Sequence, residues 1–225
     1  MAVKRFVMQA GAKSNAPPSN QKRESYYTGR GTAVDEGGLR TYEKFFDCVL
    51  RAVQRTEVER DRDGRALVEL DAALTDCRSM FRAVHKSGGR VIFIGNGGSA
   101  AIASHMAVDY TKNGGIRAVA LNDAPTLTCL ANDYGYDNVF SKQLEYQATE
   151  RDAVVVISSS GRSPNIFNAI TKATEIGAST VTLSGMDPNN RLRQQGNVNF
   201  WVPAKDYGIV ELSHLMLLHA IVSVA

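Results

Sequence analysis

The sequence contains no run of about eighteen consecutive apolar residues, so it offers no helix able to span a bilayer. Cysteine is scarce. Cys48, Cys77 and Cys129 make three, an odd number with no CxxC spacing. This argues against a disulfide framework or a zinc knuckle and makes the reducing cytoplasm the expected setting, with each thiol read as buried packing. A surplus of either charge is also missing: 26 Lys and Arg stand against 23 Asp and Glu, a net +3. So small an excess gives no support for nucleic acid as a partner, and it suits a small anionic ligand equally well. Neither GxxxxGK[ST] nor GxGxxG occurs, and there is no internal repeat. The opening stretch MAVKRFVMQAGAKSNAPPSNQKRES is basic but lacks the apolar core of a secretory signal.

What is present is an ordinary globular balance over 225 residues, 44% hydrophobic and 22% charged, enough for one α/β domain with extra helices. Residues 1–38, rich in Gly, Ser, Pro, Asn and charge, read as a flexible arm, and residues 39–225 as the domain. Apolar residues at helical spacing (Tyr42, Phe45, Phe46, Val49, Leu50, Val53) predict a helix over 39–54. The segment EVERDRDGR reads as a solvated turn. A second helix is expected from Ala66 to Lys86, with Leu67, Leu70, Leu74, Met80, Phe81 and Val84 on its buried side, stopped by Ser87-Gly88-Gly89. Five short apolar runs then follow, at 90–94, 118–121, 153–157, 180–183 and 198–202. Runs apolar throughout mark strands covered on both faces, as in a parallel sheet. Helices are expected between them at 99–112, 141–148, 163–176 and 189–195, and from Gly208 to the end. The predicted fold is therefore α/β, a doubly wound parallel five-stranded sheet preceded by two helices.

In such a sheet ligands sit beyond the carboxyl ends of the strands, and two of those ends carry unusual sequence. The first strand leads into Gly95-Asn96-Gly97-Gly98-Ser99, and the third into Ser158-Ser159-Ser160-Gly161-Arg162-Ser163-Pro164. Each opens a helix, whose unpaired N–H groups suit an anion. Either loop alone is an ordinary capped turn; the two together point to a phosphate site. His105 and Asp109 lie four residues apart on one helix, about 40° around its axis, a spacing that can chelate a divalent metal. Glu211 and His219 lie eight residues apart, about 80° around and about 12 Å along a regular helix. One ion can take both only if that helix starts irregularly; otherwise they serve sites in different subunits. His214 shares a face with Glu211 and reads as a supporting partner or as packing.

The blocks GNGGSAAIASHMAVD, ALNDAPTLTCLANDYGYDNVFSKQ, ISSSGRSPN and VELSHLMLLH, in that order, resemble the signature blocks of the phosphoheptose isomerase family, from about Tyr42 onward. The resemblance implies the sugar isomerase (SIS) fold. It also implies conversion of sedoheptulose 7-phosphate to D-glycero-D-manno-heptose 7-phosphate, and a cytoplasmic homotetramer with active sites between subunits. It assigns substrate contacts to Asn96, Gly97, Gly98, Ser99, Asn122, Asp123 and Glu211, and the phosphate to Ser158, Ser159, Ser160 and Ser163. His105, Asp109, Glu211 and His219 match metal ligands, with zinc the default and other divalent metals possible, and Asp109 and His219 match the acid/base pair. The chain departs from the family where Asp109 replaces the usual Glu and Glu211 the usual Gln, and where Lys112 is the basic residue nearest the expected arginine. A sugar-phosphate-binding or adaptor protein of the same fold is the alternative, disfavoured because it needs no metal-type side chains.

Overall fold

The computed structural model describes residues 41–61 and 64–224, so the arm expected over 1–38 lies outside the described residues. Helix α1 spans Tyr42–Gln54, with Thr41 capping its start by accepting from the Lys44 N–H at 3.2 Å. Strands β1 (Glu57–Asp61) and β2 (Arg65–Val68) follow, then α2 (Leu70–Lys86) and β3 (Val91–Gly95). Next come α3 (Gly98–Lys112), β4 (Ala118–Ala120) and α4 (Ala124–Tyr134). A single 3₁₀ turn at Tyr136–Asn138 leads into α5 (Val139–Gln147), β5 (Ala153–Ile157) and α6 (Pro164–Ile176). The chain continues with β6 (Ser179–Gly185), a 3₁₀ turn at Arg191–Gln194, β7 (Val198–Val202) and α7 (Tyr207–Ser223).

The sheet has seven strands rather than five, in the order β2-β1-β7-β6-β5-β3-β4. The five expected strands run parallel, and β1 and β2 extend the β7 edge as an antiparallel hairpin. That hairpin corrects the reading of EVERDRDGR as a turn. Its first strand carries a single fully buried apolar residue, Val58, opposite Phe200. The charged residues beside it are paired instead: Arg193 donates to Glu57 at 2.6 Å and to Glu59 at 2.9 Å. A strand held by ion pairs on its open face leaves no apolar run to read. The second helix accordingly begins at Leu70, not Ala66, and Leu67 lies exposed on β2. Helix α4 has no counterpart among the expected helices, since Leu130 is its one buried residue, and 189–195 forms only a 3₁₀ turn. Cys48 and Cys77 are buried free thiols as expected, but Cys129 is exposed.

Alternate residues of the central strands serve two cores, because successive strand side chains point to opposite faces. Val91, Phe93, Val155 and Ile157 join Phe81, Met106, Tyr110, Leu217 and Leu218 on the α1, α2, α3 and α7 side. Ile92, Ile94, Val154 and Val156 join Phe140, Leu144, Ile166 and Ile170 on the α5 and α6 side. The chain passes from β3 outward to β4 and then crosses back to β5 on the other flank of β3. This switch point brings both unusual loops side by side at the carboxyl ends of β3 and β5, the place where such sheets bind ligands. Among the described residues no helix is long and apolar enough to cross a membrane.

His214 on α7 is fully buried, with Nε2 3.0 Å from the Ser184 carbonyl and Nδ1 lacking a partner. Burial lowers its pKa from 6.5 to about 4 against the opposing pull of that hydrogen bond, so the ring is neutral and Nε2 donates. Below pH 6.5 the unfolded chain takes up a proton that the folded one refuses, so folding stability falls from there and levels off below about 4. At about 1.4 kcal/mol per pH unit the loss approaches about 3 kcal/mol. Denaturant titrations at pH 7 and pH 4.5 are expected to show this loss in the native chain and a smaller one in His214→Gln. Phe93, whose ring stands edge-on to Tyr110 at 5.0 Å, provides a second check. Phe93→Ala is expected to cost about 3–5 kcal/mol, and Leu67→Ala within about 0.5 kcal/mol, measured by chemical denaturation at pH 7.

Candidate active site

Gly95 closes β3, and a Cβ there would lie 2.6 Å from the Ser99 backbone, so the tight entry into α3 requires glycine. Gly97 adopts φ 55° with open space around its Cα, leaving the start of α3 accessible. Asn96 does not dangle in this loop. It exchanges two amide hydrogen bonds with Asn165, at 2.9 and 3.0 Å, and its Oδ1 also accepts from the Tyr136 hydroxyl at 3.2 Å. The buried Asn165 belongs to the first turn of α6, so this amide pair ties the glycine loop to the serine loop. Sequence reasoning misses both Asn165 and Tyr136. The available signal is that Asn165 ends the block ISSSGRSPN and Tyr136 lies within ALNDAPTLTCLANDYGYDNVFSKQ.

The serine loop turns at Gly161, where φ is 61° and a Cβ would lie 2.1 Å from Asn190 Oδ1. Ser158 braces this turn by accepting from the Gly161 N–H at 3.2 Å. Ser159 Oγ is shielded from solvent and makes no hydrogen bond. Ser160 and Ser163 are partly exposed, and Ser163 stands at the N-cap of α6 without using its side chain as a cap. Among the described residues the backbone N–H groups of Ser159, Ser160 and Ser163 have no backbone acceptor. Accessible hydroxyls, unpaired N–H groups and the positive end of α6 together suit a phosphoryl dianion.

Asn122 and Asp123 lie at the end of β4. The Asn122 amide donates to the Ala100 carbonyl at 3.0 Å and to Ser104 Oγ at 2.7 Å, which orients it against α3. Asp123 caps α4, accepting from the Thr126 hydroxyl at 2.8 Å and its N–H at 3.1 Å. Those two bonds hold its carboxyl below the ordinary carboxylate range.

Of the four metal-type residues, the fold brings three together within the chain. His105 and Asp109 on α3 meet His219 on α7, and one ligand atom from each lies within 4.8 Å of the others. His219 turns Nε2 toward His105 Nε2 at 3.2 Å and Nδ1 toward Asp109 Oδ2 at 3.5 Å; His105 Nε2 is also 3.5 Å from that oxygen. One ion takes a single nitrogen of the His219 ring, and with one ligand atom from each residue within 4.8 Å of the others, two imidazoles and a carboxylate form a donor set suited to a divalent cation. Glu211 is not in the cluster. Helix α7 is regular from Tyr207, and the Glu211 carboxylate lies against Gly98, 2.5 Å from where a Cβ would stand. Burial and the nearby Asp206 raise its pKa. Seven residues of α3 separate Gly98 from His105, about 10 Å of helix.

The SIS domain family matches residues 64–185. The chain is 37% identical over 142 residues to the phosphoheptose isomerase of Aliarcobacter butzleri, covering 60% of this chain and 75% of the relative. It is 35% identical over 159 residues to that of Citrifermentans bemidjiense, covering 68% and 82%. The solved structure of phosphoheptose isomerase from Neisseria gonorrhoeae superposes with a TM-score of 0.66 at 31% identity, covering 80% of this chain and 94% of that one. Sequence and architecture thus agree, and the chain belongs to the phosphoheptose isomerase family of SIS domain proteins, making it a phosphosugar isomerase.

Proposed function

We propose that the enzyme interconverts sedoheptulose 7-phosphate and D-glycero-D-manno-heptose 7-phosphate in the cytoplasm. The observation that carries this reading is the meeting of His105, Asp109 and His219 from two helices, in a chain that also presents the serine loop at its switch point. Ser160 and Ser163, with the N–H groups of the loop, hold the phosphate. Ser158 and Ser159 shape the turn beneath it. Asn96, Gly97, Gly98 and Ser99 line the sugar from the first loop, and Asn122 and Asp123 from the β4 end.

The reaction moves a proton from C1 to C2. The Asp109 carboxylate takes the C1 proton, the electron pair forms the C1–C2 double bond, and the ketone oxygen gains a proton to give a cis-enediol. The O1 hydroxyl then gives up a proton equal to the one that O2 gained, exchanged through solvent, as the aldehyde forms. C2 receives a proton from the His219 imidazole, and the proton taken by Asp109 returns to His219 through solvent, restoring both groups. Atoms balance, as an isomerisation requires. His105, Asp109 and His219 would hold a divalent ion, zinc by preference for two imidazoles and a carboxylate, which when bound supplies Lewis-acid polarisation of the substrate oxygens. Asp109 Oδ1 accepts from the Asn113 amide at 3.3 Å, which orients the carboxylate.

Glu211 completes the site from a second copy of the chain in this reading, within a homotetramer. Two features support it. Glu211 stands apart from the trio in its own chain, and α1 exposes a row of Tyr42, Phe46 and Leu50, at 88%, 63% and 51%. An apolar row of that kind marks an association surface.

The decisive assay follows sedoheptulose 7-phosphate by NMR, with and without chelator. Conversion to the aldose is expected, and it should stop on chelation and return with added zinc. Asp109→Asn and His219→Gln are each expected to lower kcat roughly 10²–10⁴-fold with unchanged circular dichroism. Near-native rates in either variant would remove that residue from the chemistry, and no turnover with any divalent metal would favour a binding protein. Ser160→Ala is expected to leave the melting temperature unchanged while raising KM roughly tenfold, the value of one hydrogen bond to a charged group.

A further inference from the structure

The opposite end of the sheet carries a second concentration of polar groups that the isomerase reading does not use. Arg90, Arg117 and Arg151 each lie one or two residues before a strand. Their strands β3, β4 and β5 are adjacent and parallel, with Val91 level with both Ala118 and Ala153. Three guanidinium groups therefore leave the sheet side by side, at the amino ends of the strands. They line a cavity of about 390 Å³ together with Gly88, Thr111 and Thr149.

The ordinary role of such arginines is to cap helix ends, and two of them do this in part. Arg90 Nη2 donates to the Gln147 carbonyl at the end of α5 at 2.7 Å, and Arg117 Nη2 to the His85 carbonyl at the end of α2 at 3.2 Å. Each uses a fraction of its five donors. The Arg151 side chain makes no hydrogen bond to the described residues. None of the three forms an ion pair with a described carboxylate. Asp152, the one acid among the described residues lining the cavity, is committed to the backbone. Its Oδ1 accepts from the Arg90 N–H at 2.8 Å and its Oδ2 from the Thr149 N–H at 2.8 Å.

Arg117 and Arg151 also converge. Gly88 has φ 90°, and Arg151 Nη1 and Arg117 Nη2 lie 3.7 and 3.8 Å from the point a Cβ would occupy there. Two like charges gathered over a glycine, neither of them in an ion pair with a described carboxylate, repel less once an anion enters. The planar fork of each guanidinium matches phosphate oxygens.

We propose that this cavity is a second anion site, taking the phosphate or diphosphate group of a small metabolite, with Arg151 and Arg117 as its main ligands. The site lies at the opposite end of the strands from the serine loop and stands independently of the isomerase assignment. Inorganic pyrophosphate is the probe, followed in amide and arginine Nε–H spectra of the full chain at physiological salt. Saturable shifts are expected at Gly88, Gly89 and Arg151, separate from any shifts at 158–163. Arg151→Gln, which removes no hydrogen bond of the described residues, should weaken the Gly88 response at least tenfold and leave the serine-loop response intact. Arg117→Lys, keeping charge but losing the fork, should weaken it less than Arg151→Gln. Absence of a saturable response at Gly88, an unchanged affinity in Arg151→Gln, or sulfate binding as tightly as pyrophosphate would each overturn the assignment.

Discussion

The Tyr110 hydroxyl donates to the Leu218 carbonyl at 3.1 Å, in the interior between α3 and α7. Its two residues are the sequence neighbours of Asp109 and His219, so this contact sets where those two side chains stand. Tyr110 is held in turn by edge-on contacts with Phe81 at 5.7 Å and Phe93 at 5.0 Å. Burial raises its pKa well above the ordinary phenol range, so the ring keeps its proton and remains a donor. A buried hydroxyl without its acceptor is costly, so α7 is fixed in height and rotation against α3. Gly114 extends the same constraint, since a Cβ there would lie 2.7 Å from a Val222 methyl. His219 therefore meets His105 and Asp109 through core packing rather than through any mutual attraction of the three.

The same alignment explains where Glu211 goes. Two turns earlier on α7, its carboxylate sits at the amino-terminal turn of α3, against Gly98, where burial and Asp206 outweigh the pull of the helix start and raise its pKa. A longer residue at 98 would have no room. The consequence is a site divided by height on α3: a carboxylate at the top, and two imidazoles with a shorter carboxylate about 10 Å below.

The polar ends of the sheet contrast in their chemistry. At the carboxyl ends the polar groups are neutral: hydroxyls, amides, loop N–H groups and the start of α6. At the amino ends they are guanidiniums, partly spent on helix carbonyls. The Asn96–Asn165 amide pair gives the first end its rigidity, binding two loops whose strands are neighbours in space but 58 residues apart, from Gly95 to Ala153, in the chain.

Much of this is open to reading in the residues themselves. Runs such as AVVVI at 153–157 and VIFIG at 91–95 declare strands because both faces must be apolar, and the glycine and serine loops announce their turns by composition. His105 and Asp109 are legible because helical spacing alone places them on one face. The β1–β2 hairpin is not, because ion pairs to Arg193 replace apolar burial, and a row of charges looks the same in a turn as on a sheet edge. Asn165 and Tyr136 are hidden for a related reason: a polar side chain acquires its partner only when distant loops meet. Local periodicity and residue type are enough to say where most strands and helices run, and which side chains have the chemistry for phosphate and metal. They are not enough to say that His219 joins His105 and Asp109 while Glu211 stays with Gly98. That outcome belongs to the folded chain, because the relative height of two packed helices is set by buried contacts that no local pattern contains.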